Sequence, residues 1–193
     1  MLIKQKSSGG TFVNIKEGTL VIKNKSGEME SFASIKGTIY KVEFIDEEFK
    51  GKKYEKAKIF IKSDDQSFIL QMRTDSGYFR GFCNSLKSGN PLSEVTISPS
   101  CKEGENGKSQ TTCFINQDGK YLKHYFTKDF SGKDGDIIPQ LERVEFKGDV
   151  HYDNSKQIAY WKDWLESQFD KDEPEITPMP EGVKFENDDD LPF

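Results

Sequence analysis

Between Tyr54 and Lys62 the chain reads YEKAKIFIK, with aromatic or basic residues at every second position. In a strand, successive side chains point to opposite faces, so Tyr54, Lys56, Lys58, Phe60 and Lys62 share one face, while Ala57, Ile59 and Ile61 share the other. The second face is suited to a core. The first mixes rings with cations, which is the chemistry a single-stranded nucleic acid calls for. Its bases stack on aromatic platforms at ~1–3 kcal/mol each, and its phosphates draw Lys and Arg. The following run, QSFILQMRT, places Phe68, Leu70 and Met72 on one side and Gln71 and Arg73 on the other, extending the basic surface if the strands form a meander. Lys41 in the preceding run adds to it. Further on, KYLKHYFT puts Tyr121, Lys123 and Tyr125 on one face. The plainer reading is that these lysines only solubilise an outer strand face and that Tyr54 or Phe60 caps a secondary core. Recurrence of the mixture in three strands favours binding.

Catalytic chemistry is poorly represented. His124 and His151 are the only histidines, and neither stands in a nucleophile signature. Asp46, Glu47 and Glu48 precede FKGKK and read as solvated charge in a loop rather than metal ligands. Cys101, Cys113 and His124 lack the paired spacing of a structural zinc site, and GENGK lacks that of a phosphate-binding loop. Neither a metal nor another cofactor is expected, and no enzymatic activity. Three cysteines without a CxxC pair imply reduced thiols rather than a disulfide framework.

These strands need a scaffold. TFVNI and GTLVIKNKSG read as opening strands, followed by the long run SFASIKGTIYKVEFIDEEF, in which Tyr40, Val42 and Phe44 alternate with Lys41 and Glu43, and Gly37 marks a bulge or bend. After the meander the period changes. DSGYFRGFCNSLKSGNP has an N-cap in Asp75 or Ser76, apolar residues at Phe79, Phe82, Cys83 and Leu86, and a stop at Gly89 and Pro91, so it predicts an amphipathic helix. SEVTISPS and QTTCFINQ resume the strands, NQDG makes a hairpin turn, and KYLKHYFT returns. DNSKQIAYWKDWLESQF predicts a second helix, with Asn154 and Gln157 at capping-box spacing and Ile158, Trp161, Trp164, Leu165 and Phe169 toward the body. Without the ends, the order is three strands, a helix and two strands, which is the order of the OB-fold. The expected class is therefore mainly β: an OB-type β-barrel with one helix between its third and fourth strands, an additional C-terminal helix and a disordered acidic tail.

The chain of 193 residues is long enough for one core plus an appendage. Residues 1–169 are expected to form the domain, with strands added before the barrel, and residues 170–193 the tail. The tail carries nine acids and two lysines, a net charge of −7, which leaves the body 26 basic and 24 acidic groups. With Pro174, Pro178, Pro180 and Gly182 and no apolar period, it reads as a flexible tether. Residues 170–187 have a random-coil reach of roughly 23 Å. MLIKQKSSGG lacks the apolar centre of a secretion signal and no run approaches ~20 apolar residues, so a cytoplasmic location and no membrane partner are expected.

The last six residues, Asp188, Asp189, Asp190, Leu191, Pro192 and Phe193, resemble the C-terminal tip of bacterial and phage single-stranded DNA-binding proteins, which commonly end in Asp-Asp-Asp-Ile-Pro-Phe. The resemblance covers those residues strictly and the acidic linker loosely, with Leu191 the one departure; the body agrees in architecture only. It implies an OB-fold body that coats single strands during replication, recombination and repair. It also implies a tip that recruits partners such as a polymerase, helicase, primase or nuclease. The extra N-terminal strands and the Trp-bearing helix point to a divergent, phage-type member acting in the host cytoplasm, and leave the oligomeric state open. The chemistry suits the residues, because Phe193 can enter an apolar pocket while its carboxylate and the aspartates meet a basic rim. An RNA-binding OB module and a protein-interaction adaptor with a scaffold barrel are the alternatives.

Overall fold

The computed structural model describes residues 10–24, 26–64, 66–104, 107, 109–146 and 149–169. The expected tail and its tip, residues 170–193, lie outside the described residues. The body is mainly β, with a strongly curled half-barrel sheet and two helices.

Its elements are β1 (Thr11–Lys16), β2 (Thr19–Lys23), β3 (Met29–Phe32), β4 (Ile35–Phe49), β5 (Lys52–Lys62), β6 (Ser67–Arg73), α1 (Gly77–Leu86), β7 (Glu94–Glu103), β8 (Ser109–Gln117), β9 (Lys120–Tyr121), β10 (Glu142–Phe146), β11 (Asp149–Asp153) and α2 (Ser155–Phe169). The main sheet runs β3-β2-β1-β6-β5-β4-β7-β8-β9, and β10 and β11 form a separate hairpin. The expected meander is present, with β4, β5 and β6 pairing antiparallel in turn. β4 is long because it serves two neighbours. Its far part pairs with β5, its first residues pair with β7, and Thr38 belongs to both ladders. The corner falls at Gly37, where a Cβ would lie 2.6 Å from the Lys62 carbonyl oxygen. Only a residue without a side chain fits such an approach.

The edge strands β3 and β9 do not pair with each other, so the sheet stays a half-barrel. β1 pairs in parallel with β6, Thr11 opposite Phe68 and Asn14 opposite Gln71, and so takes the edge through which β6 would meet β8. On the other side α1 packs chiefly on β8. Its glycines permit the contact, since a Cβ on Gly77 would lie 2.3 Å from the Thr111 carbonyl oxygen and one on Gly81 2.9 Å from the Cys113 nitrogen. The β1–β2 turn then folds toward β7: Gly18, at φ +81°, donates its N–H to the Tyr78 hydroxyl and leaves no room for a Cβ beside Cys101. The concave face holds one core, with Ala57, Ile59, Ile61, Leu70, Met72, Ile97 and Ile115 from the sheet against Phe79, Phe82, Cys83 and Leu86 of α1. Burial pushes the Cys113 thiol up to about 12, so it is an inert core residue.

Both helices begin as their sequences suggest, with different caps. Ser76 caps α1, accepting the Phe79 N–H at 3.2 Å. In α2 the capping box does not carry the start: Asp153 Oδ1 accepts the Ser155 N–H at 2.9 Å, and Gln157 is buried, donating to the Pro139 carbonyl. Trp161 and Leu165 fill the core, while Lys87 at the end of α1 lies between the rings of Tyr125, Tyr160 and Trp164 and 3.3 Å from Asp136. These contacts fix α2 against α1. No helix among the described residues is long and apolar enough to cross a membrane.

The structure corrects three expectations. KYLKHYFT is a strand only at Lys120 and Tyr121; beyond them the backbone turns to α1, where Asn84 accepts the Tyr125 N–H on its carbonyl and the Phe126 N–H on its side chain. Tyr40 leaves the face of Val42 and Phe44, because the β4–β5 register shifts between Ile39 and Lys41. Asp46, Glu47 and Glu48 lie within β4, not in a loop, so that Glu47 alone of the three stands opposite Tyr54.

Candidate nucleic-acid interface

The cross-strand register brings eight of the sequence-derived residues onto the convex face of the central strands. Lys56 stands opposite Arg73, Lys58 opposite Gln71, and Phe60 opposite both Ile69 of β6 and Lys41 of β4. Tyr54 and Lys62 extend the row at either end of β5. Their strand neighbours Ala57, Ile59 and Ile61 are buried in the core, so the alternation sorts this strand as its sequence predicts.

At the Tyr54 end the groups are tied together. The Tyr54 hydroxyl donates to Glu47 Oε2 at 3.0 Å, and Lys56 Nζ reaches the same oxygen at 2.7 Å. Arg73 lies over the Tyr54 ring at 5.4 Å and donates to Asp75 at 2.9 Å. The Lys56 hydrogen bond, opposed by desolvation and aided by Tyr54, holds the Glu47 carboxyl below the usual carboxylate range. At the other end, Phe60 packs edge-on against Tyr40 with centroids 6.0 Å apart, and Lys41 Nζ stands 5.7 Å from its ring while pairing with Glu43 at 2.8 Å. Lys58 and Lys62 have no ion-pair partner among the described residues.

The face therefore presents aromatic rings with two uncommitted cations and three cations held by exposed or half-exposed acids. Such surface pairs are worth only ~0–1 kcal/mol, and a phosphate can take the place of the carboxylate. The turn between β4 and β5 adds Lys50, whose Nζ stands 5.3 Å from the Phe49 ring, and Lys52 opens β5 on the same face as Tyr54.

The remaining three residues do not join this face. Tyr121 is 69 % exposed on β9, at the far end of the sheet, and Lys123 follows it beyond the strand. Tyr125 is buried; its hydroxyl donates to Asp134 at 2.8 Å, and burial with the carboxylates of Asp134 and Asp136 pushes its phenol up to about 12. It is a core residue and offers no stacking surface. Sequence reasoning passed over Phe12, 52 % exposed and beside Ile69 through the parallel pairing, and Tyr40, turned outward by the register shift. Only alternation within TFVNI hinted at the first, and nothing local marked the second.

Among the described residues no three His, Cys, Asp or Glu side chains are grouped so as to hold a metal ion. No family model matches the chain, and neither a curated protein nor a solved structure matches it.

Proposed function

We propose that this chain is a single-stranded DNA-binding protein with an OB-type body, which holds the strand on the outer face of β4, β5 and β6 and performs no chemistry of its own. The observation that carries the reading is the gathering of Tyr54, Phe60, Lys58 and Lys62, with Lys41, Lys56, Gln71 and Arg73, on one side of three adjacent strands. The OB-type assignment is supported by the order β4-β5-β6-α1-β7-β8 and by a first strand that serves both β5 and β7 around Gly37. In that fold the second and third strands and the loop before them are a common oligonucleotide surface. Here that surface is β5, β6 and the lysine-bearing turn after Phe49.

DNA rather than RNA is favoured by the terminal Asp188, Asp189, Asp190, Leu191, Pro192 and Phe193, with their resemblance to the tip of single-stranded DNA-binding proteins. In this account the tip recruits replication and repair enzymes, and the linker before it, net −7 with the tip included, competes with phosphate for the basic face. Titration with single-stranded DNA, RNA and duplex of equal length at several salt concentrations tests the reading. Tightest binding to single-stranded DNA, weakening steeply with salt, is the expected result. A preference for RNA overturns the assignment to DNA, absence of binding leaves a protein adaptor, and Mg²⁺-dependent cleavage overturns the non-enzymatic role.

A further inference from the structure

A second concave surface lies on the same molecule and outside the face just described. Between α1 and the strands β7 and β8 runs a cleft of about 400 Å³, within the size range of small-ligand sites. Arg80 of α1 and Lys102 of β7 stand on its walls, and Phe114 of β8 lines it with 41 % of its surface exposed. Tyr121 packs edge-on against Phe114, with centroids 6.3 Å apart. Cross-strand pairing places Phe114 opposite Ser98 and Tyr121 opposite Asn116, so both rings belong to the convex side of the sheet.

The electrostatics differ from those of the β5–β6 face. No carboxylate is found among the described residues that line the cleft, and neither Arg80 nor Lys102 has an ion-pair partner among the described residues. His124 also lines the cleft, and desolvation lowers the pKa of its imidazolium. At neutral pH it is therefore a hydrogen-bonding group, and Arg80 and Lys102 are the cations of the cleft. An accessible ring in one cleft with two cations outside any ion pair among the described residues offers a surface for a stacked base and places for the phosphates of the same strand.

We infer that the cleft between α1 and β7–β8 is a second contact for a single strand of nucleic acid, with a base on Phe114 and phosphates on Arg80 and Lys102. This inference rests on the single-strand reading above. It assigns a strand path from β6, β5 and β4 around the outside of the sheet to β8, and gives Tyr121 a role as the support that holds Phe114 edge-on.

Fluorescently labelled oligo-dT of about 6 and about 16 nucleotides separates the two contacts. The full-length protein, Phe114→Ala, the double variant Arg80→Ala/Lys102→Ala and the double variant Lys58→Ala/Lys62→Ala are titrated with each, with circular dichroism confirming that every variant is folded. The wild type is expected to bind the longer strand more tightly, and Phe114→Ala to lose about 5- to 140-fold of affinity for that strand alone. Phe114→Tyr should retain it. If the cleft variants bind both lengths as the wild type does, or the wild type gains nothing from length, the cleft is not on the strand's path. If the short strand is lost from the cleft variants and kept by Lys58→Ala/Lys62→Ala, the cleft stands and the β5–β6 reading falls. A wild type that binds neither length overturns both. Binding of thymidine monophosphate with no gain on lengthening would make the cleft a nucleotide pocket and refute the strand path.

Discussion

The Tyr54 hydroxyl donates a 3.0 Å hydrogen bond to Glu47 Oε2, so the ring that opens the basic strand is anchored by an acid from the strand beside it. Lys56 reaches the same oxygen. Glu47 thus orients two of the proposed DNA contacts and also occupies one of them.

Replacing this carboxylate should act on binding and on stability in opposite directions. Glu47→Gln keeps an oxygen for Tyr54 and releases Lys56, so affinity for a single strand should rise several-fold at low salt and less at high salt. Stability should fall by roughly 0.5–1 kcal/mol at neutral pH. The pH dependence follows from the lowered Glu47 pKa. A carboxyl whose folded-state pKa lies below its unfolded one stabilises the fold above the unfolded value and loses that contribution as pH falls through the folded value. The difference between wild type and Glu47→Gln in urea unfolding should therefore be present at pH 7 and shrink at acid pH. A difference unchanged down to pH 3 would contradict the ion-pair assignment.

Gly81→Ala sets helix propensity against packing. Alanine is favoured in a helix interior by about 1 kcal/mol. The new methyl would lie 2.2 Å from Thr112 Oγ1 and 2.9 Å from the Cys113 nitrogen, and the second of these is strand backbone that cannot step aside. Overpacking of this kind costs ~1–3 kcal/mol, so net destabilisation is expected, read as a lower urea midpoint. A midpoint at or above that of the wild type would show that α1 does not approach β8 this closely.

The tail's two proposed roles separate by deletion. Removing Leu191, Pro192 and Phe193 leaves the linker's acids in place, so partner recruitment in a pull-down should be lost while DNA affinity changes little. Removing residues 170–193 takes away a net charge of −7 and should tighten single-strand binding, most at low salt. Equal recruitment by full-length and three-residue-truncated protein would refute the docking role.

Local patterns were legible in the sequence, and long-range placement was not. YEKAKIFIK sorted correctly because period two is a property of the strand itself, and Ser76 could be read as a cap because capping spans three residues. NQDG likewise forms its hairpin turn, Asp118 and Gly119 both at positive φ. Tyr125 shares its alternation with Tyr121, yet it is buried, because the chain after Tyr121 spends its backbone hydrogen bonds on Asn84, some forty residues earlier in sequence. The parallel pairing of β1 with β6, which leaves the sheet a half-barrel and adds Phe12 to the candidate face, joins segments separated by β2 to β5 and has no local signature. The hairpin of β10 and β11 escaped for another reason: Val144, Val150 and Tyr152 alternate with polar residues, but the strands stand apart from the main sheet, and residues 142–145 and 149–153 are exposed.

Lys58 and Lys62 on the β5 face form no ion pair among the described residues, and a bound strand would bring phosphates to both. Affinity for a labelled oligo-dT, measured across a salt series for wild type and Lys58→Ala/Lys62→Ala, reports the phosphate contacts that the pair makes. Each lost contact should reduce the slope of log K against log salt by about 0.7, so the double variant should bind more weakly with a slope shallower by about 1.4. A folded double variant with the affinity and slope of the wild type would contradict the proposal that single-stranded DNA lies on this face.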